Sequence, residues 1–154
     1  AYESIHWQVI VLIAALIPLG IVIESSGTAA YIASSIKEYV DTYSPSVQPY
    51  ILFTLIYFVT MVMTEVSSNT ATAIIMTPIV IAITGEMQLD SRPFIFAVCF
   101  AASASFSTPV GYQTNLMVYG PGGYKFSDYI KVGIPLAVTF WLLAVLIIPL
   151  IWSF

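Results

Sequence analysis

Thr64-Glu65-Val66-Ser67-Ser68-Asn69-Thr70-Ala71-Thr72 is a polar tip set between two apolar arms. The chain from Tyr50 to Met63 is almost wholly apolar before it, and the run from Ala73 to Ile83 is apolar after it. At about 14 residues or fewer, each arm falls short of the ~20 that a helix needs to cross a bilayer. Two short arms joined by a turn rich in hydroxyls and amide predict a re-entrant helical hairpin over 50–84. The tip is the candidate site.

Composition sets the surroundings. Hydrophobic residues make up 59% of the 154 and charged residues 8%. The mean hydropathy of +0.94 lies well outside the range of soluble domains. An all-α integral membrane protein is therefore expected. Of four basic and eight acidic side chains, only Glu65 lies deep between apolar segments. The rest stand at segment ends or in connections, so the net charge of -4 says little about partners. No basic patch for nucleic acid is present. Cys99, alone of its kind, excludes an internal disulfide and most metal frameworks, and its apolar setting predicts a packing role. The single histidine, His6 beside Trp7, is expected at an interface. The chain opens at Ala1 without a basic leader and reads as a piece, excised or processed, of something longer.

Outward from the hairpin, a first spanning helix is expected over 7–24, kinked at Pro18 and Gly20 in a way that neighbouring membrane helices absorb. Gly27-Thr28 offers a break, with Thr28 as N-cap of a short interfacial helix over 28–41. Ala29, Ile32, Ala33, Ile36 and Val40 fall at helical spacing there. Beyond the hairpin, Phe94 to Phe106 is another half-length apolar run. It stops at Ser107-Thr108-Pro109-Val110-Gly111, and apolar character resumes from Leu116 to Tyr119. A broken helix over 94–119 follows, because irregular backbone at membrane depth survives only where protein, ions or water satisfy it. A last spanning helix is expected over 132–152. Trp7, Tyr50, Tyr129 and Trp152 sit near the ends of apolar runs, as interfacial aromatics do. Lys37 and Arg92 fall on one face of the bilayer and Lys125 and Lys131 on the other, so charge fixes no orientation.

The two polar breaks carry the chemistry. A helix restarting after Ser68-Asn69-Thr70 points unpaired N–H groups at the tip, which suits an anion. The preceding half-helix ends in carbonyls, which suit a small cation. Hydroxyls and an amide add neutral oxygen ligands, and no Lys or Arg lies near either break. An anion held here is neutralised by dipoles, hydroxyls and co-bound cations, a combination that predicts ion-coupled transport. Glu65 has three available roles: cation ligand, proton relay, or acceptor for the hairpin's exposed backbone N–H groups. The last is favoured.

The run Thr64 to Ala71, followed by Thr108-Pro109 on a second broken helix, resembles the divalent anion:sodium symporter family. The likeness extends over Pro18 to Val40 and to Val132-Gly133, and corresponds to the C-terminal of that family's two inverted repeats. It implies an elevator-type, dimeric transporter in the plasma (inner) membrane that moves divalent anions, dicarboxylate or sulfate, with sodium. It also implies the roles of particular residues. Thr64, Ser67 and Asn69, with the carbonyl of Ser107, would hold sodium. Ser68, Asn69 and Thr70 would touch the anion, and Thr108 and Pro109 would close the pocket. The N-terminal repeat would supply the other half. Dicarboxylate members place a second Pro and an early Asn after the Thr-Pro. Here Val110, Gly111, Tyr112, Gln113 and Thr114 intervene before Asn115, a longer form similar to members with soluble regulatory domains, some of them sulfate carriers. Sulfate and dicarboxylate both stay open.

Two other classes compete. A channel, or a structural membrane subunit, would use the same polar breaks merely to line water. An intramembrane Ser hydrolase needs a base beside its nucleophile, which His6 at the terminus does not supply. No enzymatic activity is expected.

Overall fold

A chain this apolar can satisfy its backbone in lipid only by closing hydrogen bonds within its own segments, and helix is the way a single chain does so. The computed structural model describes residues 7–152 and residue 154; Glu3 and His6 lie outside the described residues. Among those described there are seven helices and no strand. They are α1 (Trp7–Ser25), α2 (Thr28–Val40), α3 (Gln48–Thr64), α4 (Asn69–Glu86), α5 (Ser91–Ala102), α6 (Gln113–Tyr119) and α7 (Phe126–Ile151). The all-α expectation is met.

Helix α4 is the centre. It packs on α1, α2, α3 and α5, whereas α7 packs on α3 and α5 and meets α6 through Tyr129. Small side chains make the approach close. Ala29 and Ala33 of α2 are buried, as are Ala97 and Ala101 of α5, and without a large side chain between them two helices can bring their backbones together. Larger side chains fill the remaining space: Leu52, Phe53, Ile56 and Tyr57 from α3, Ile79, Val80 and Ile83 from α4, Phe94 and Val98 from α5. The buried positions of α5 recur every three or four residues. That periodicity puts Cys99 on the opposite face with Phe96 and Phe100, so the thiol is exposed rather than packed as its apolar surroundings suggested.

Several boundaries differ from those read off composition, each for a local reason. The hairpin arms are 17 and 18 residues long. Pro49 starts α3 in its first turn, where a missing N–H costs nothing. The Ser68 side chain accepts the N–H of Ala71 at 3.2 Å, so the polar residues Asn69, Thr70 and Thr72 are helical. Only 65–68 remain for the turn. Asp90 likewise caps α5 through the N–H of Arg92 at 3.0 Å. Helix α7 begins at Phe126, upstream of the apolar run, because Asp128 accepts the N–H of Lys125 at 2.9 Å and pins a polar first turn. Gly27, at φ 75°, takes the N-cap position of α2 that was expected of Thr28. That left-handed conformation suits glycine, and the chain bends by 64° there.

By length and composition, α4 and α7 each suffice to cross a bilayer, and Ile17–Ser25 with Thr28–Val40 forms a third, bent candidate. The aromatics at the ends of apolar runs make specific contacts. Trp152 stacks on Phe96 with ring centroids 4.6 Å apart, and Tyr50 meets Phe154 edge-on at 5.0 Å. On α6 no residue is buried, and along α7 Leu142, Leu143, Leu146 and Leu150 are all exposed. Ala33→Leu should drive α2 off α4 at about 1–3 kcal/mol. It should lower the midpoint of thermal unfolding in detergent, whereas Ala30→Leu, on the exposed face, should leave it unchanged.

Candidate functional site: the junction of two helix breaks

The turn of the hairpin and the break after α5 lie against each other, and side chains from each satisfy the backbone of the other. Glu65 does most of this. Its Oε1 accepts the N–H of Phe106 at 3.1 Å and that of Ser107 at 2.8 Å. Its main-chain carbonyl accepts the Thr108 hydroxyl at 2.8 Å. The acceptor role favoured from sequence is therefore the observed one, although the amides belong to the second break and not to the hairpin. Two successive N–H groups converging on one oxygen form an anion-binding concavity, here filled by the protein's own carboxylate. The other oxygen, Oε2, is buried and has no hydrogen-bond partner.

Thr64, one residue earlier, is fully buried. Its hydroxyl lies 2.8 Å from Oδ1 of Asn69 and 2.6 Å from the carbonyl of Ala102, and it has one proton to donate. The Thr64 carbonyl accepts the Ser105 hydroxyl at 3.3 Å. On the far side, Asn115 donates both protons of its amide, to the carbonyls of Ser105 and Thr108, each at 3.1 Å. Tyr129 of α7 then donates to the Asn115 carbonyl at 2.8 Å. The irregular segment between α5 and α6 is thus held by the hairpin on one side and by α6 and α7 on the other.

Two glycines make this packing possible. A Cβ on Gly133 would overlap the backbone of Phe106 and Ser107, so α7 lies directly against the break. A Cβ on Gly111 would overlap the Ser105 hydroxyl and stand 3.1 Å from the Thr64 carbonyl. Thr108 also accepts the N–H of Gly111 at 3.1 Å.

The residues singled out from sequence fall into two groups. Thr64, Asn69, Ser107 and Thr108 meet at the junction, and Pro109 is buried beside them in the chain. Ser68 is spent on capping α4, while the half-buried Ser67 and Thr70 side chains make no hydrogen bond among the described residues. The carbonyl that meets Thr64 is that of Ala102; Ser107 enters through its N–H instead. Ser105, Gly111 and the Ala102 carbonyl were not singled out beforehand. Ser105 looked like one more small residue of an apolar run, and a backbone carbonyl leaves no mark in sequence. Thr72, fully buried, keeps a hydroxyl without a partner. Among the described residues no three His, Cys, Asp or Glu side chains converge. The donors at the junction are mainly neutral oxygens, which suit hard cations.

The family described as the sodium:sulfate symporter transmembrane region matches residues 2–154. The chain belongs to that family. Among its curated relatives, an uncharacterized transporter of Synechocystis sp. is 44% identical over 152 residues, covering 99% of this chain and 24% of the relative. The uncharacterized transporter YfbS of Escherichia coli is 36% identical over 154 residues, covering 100% of this chain and 25% of the relative. Sodium/sulfate cotransporter 1 of Chlamydomonas reinhardtii is 34% identical over 144 residues, 93% of this chain and 16% of the relative. The chain thus spans a quarter or less of the length of these symporter-family proteins.

The overlap at Gly111 gives a direct check. Gly111→Ala should displace the Ser105 hydroxyl and destabilise the protein, and adding Ser105→Ala should recover part of the loss. Thermal unfolding of the two single variants and the double one reads the coupling, expected at about 0.5–3 kcal/mol for residues in contact. Strict additivity would contradict the packing described.

Proposed function

We propose that this chain is one repeat of a sodium-coupled secondary transporter for divalent anions, sulfate or a dicarboxylate. The observation that carries the reading is the Thr64 hydroxyl between Asn69 Oδ1 and the Ala102 carbonyl. Three oxygens share one proton, so whichever oxygen accepts it, the other is left facing a lone pair. A sodium ion among them removes that repulsion. Without the ion, a half-turn of the Asn69 amide lets its NH₂ donate to Thr64 while Thr64 donates to Ala102, and the chain of hydrogen bonds closes. Cation binding and amide orientation are thereby linked.

The anion sits on the other side of the same residues. Ser68, Asn69 and Thr70 open α4, whose free N–H groups carry about half a positive charge. Thr108 and Pro109 border them from the second break. Asn69 serves both ligands, its Oδ1 toward the cation and its position at the start of α4 toward the anion. Ser67 and the Ser107 carbonyl are the remaining sodium ligands in this reading, joined by Ala102. An N-terminal repeat with its own hairpin supplies the rest of the pocket, and the transporter works as a homodimer by elevator-type alternating access in the plasma or inner membrane. The family membership and the name of the Chlamydomonas relative support sodium and sulfate as the ligands to test first.

The test is uptake of labelled sulfate and of succinate into liposomes carrying the full-length protein, with and without an inward sodium gradient. Uptake of either anion that requires sodium is the expected result. Flux of equal size without the gradient would remove the symport reading in favour of a channel. Within a coupled system, Asn69→Ala should raise the sodium concentration for half-maximal uptake and the anion KM together, each of order tenfold, the size of a lost contact worth about 1.4 kcal/mol. A change in anion KM alone would refute the shared role.

A further inference from the structure

Ion coupling requires that occupancy of the cation site be felt at the anion site, and the junction contains one residue placed to transmit it. We propose that Glu65 is the positioning residue that couples the two sites, resting on the transport reading above. Its neighbour Thr64 lies in the proposed cation site. Glu65 itself holds three consecutive residues of the second break: Phe106 and Ser107 through Oε1 and Thr108 through its main-chain carbonyl. Thr108 is where the break borders the anion. A shift of the backbone at Thr64 on cation binding therefore reaches Phe106 and Ser107 through the Glu65 carboxylate, and through them the adjoining Thr108.

The chemistry of the contact favours a link over a mere filler. A carboxylate accepting backbone N–H groups makes bonds about twice as strong as those between neutral groups. The two amides have no helical acceptor, since α5 ends at Ala102 and α6 begins only at Gln113. Among the described residues the Ser107 N–H has no acceptor besides Glu65, while that of Phe106 also reaches the Ala104 carbonyl, at 3.2 Å. The break is pressed from the opposite side by Gly133, which leaves no room for Phe106 and Ser107 to retreat toward α7. Movement of Glu65 must carry them with it or break both bonds.

Side-chain length and charge separate this proposal from a plain structural role. Glu65→Gln keeps an oxygen at the same reach and preserves the link in weakened form. Glu65→Asp keeps the charge but withdraws it by one methylene, and Glu65→Ala removes the acceptor. Hydrogen exchange of the segment 104–112 is measured on the full-length protein in detergent, with sodium and with choline in its place. In the wild type, sodium should slow exchange at the amides of Phe106 and Ser107. Glu65→Ala and Glu65→Asp should speed exchange there by about 5- to 150-fold, the range for leaving a buried donor unpaired, and abolish the sodium effect. Glu65→Gln should retain most of both.

Sulfate uptake by the same variants reads the coupling. Sodium should lower the sulfate KM of the wild type by a factor in the usual range of about 5 to 150, and Glu65→Ala should flatten that dependence while Glu65→Gln restores it. Exchange at Phe106 and Ser107 that is equal in wild type and Glu65→Ala would overturn the proposal, as would exchange in the wild type indifferent to sodium. So would a sodium dependence of KM unchanged in Glu65→Ala. A wild type that takes up no sulfate with sodium sinks the transport reading by itself, while the exchange data still decide whether Glu65 joins cation and break. A Glu65→Asp variant that matches wild type in both measurements would assign the effect to charge rather than to reach, and would also overturn it.

Discussion

Two neighbouring backbone N–H groups left without a helical acceptor are the constraint on which this structure depends. Once α5 stops at Ala102, the amides of Phe106 and Ser107 lie outside any helix, and in a chain with so little polar matter few groups can accept them. Leaving a buried donor unpaired costs about 1–3 kcal/mol, a sizeable part of the net stability of any domain. Glu65 answers both amides with one oxygen. Because it does, the turn of the hairpin must lie against the break. The other contacts follow from that proximity: Thr64 with Ala102, Ser105 with the Thr64 carbonyl, and Thr108 with the Glu65 carbonyl. Gly111 and Gly133 are required because backbone and side chains then meet with no space for a Cβ.

A carboxylate on the anion-binding concavity of the break also sorts the charges. The most exposed electrostatic feature of two successive amides is already satisfied internally, which leaves the start of α4 as the other place at the junction where backbone N–H groups stand free. Opposite it, carbonyl and side-chain oxygens cluster around a single hydroxyl proton at Thr64. In the transport reading, negative and positive ligands thereby meet adjacent but different surfaces. Neither surface needs a basic or acidic side chain exposed in lipid, where such groups are costly.

Much of this was legible in the sequence, and the reasons it was or was not are physical. Helix as the sole element followed from hydropathy. The turn at 65–68 and the existence of a second break were marked by polar residues with no place in a lipid-facing helix, although that break opens after Ala102, four residues before the expected Phe106; a carboxylate beside orphan amides pointed to the acceptor role of Glu65. Which amides it would accept depends on how α3 and α5 pack, and no local pattern records that. Boundaries went astray where capping overrode composition: Ser68 drew Asn69, Thr70 and Thr72 into α4, and Asp128 drew a polar turn into α7. Cys99 was misjudged because apolar neighbours in sequence lie on both faces of a helix, and only periodicity tells them apart. Ser105 and Gly111, two among the many small residues between Ala101 and Gly111, acquire their importance from the approach of Thr64.

The length of the hairpin arms bears on energetics of a different kind. At about 1.5 Å per residue, the 17 residues of α3 and the 18 of α4 run for about 25 Å, against a hydrocarbon core of about 30 Å. A hairpin of that size entering from one face and standing upright would carry its turn most of the way to the opposite headgroups, and only a steep tilt would return it to the centre. A membrane potential does work on a charge in proportion to the share of the field it crosses, up to about 2.3 kcal/mol per charge for 100 mV. In the transport reading, the tilt of two helices therefore sets how strongly voltage biases a cation toward Thr64, and the arms are long enough for that share to be large.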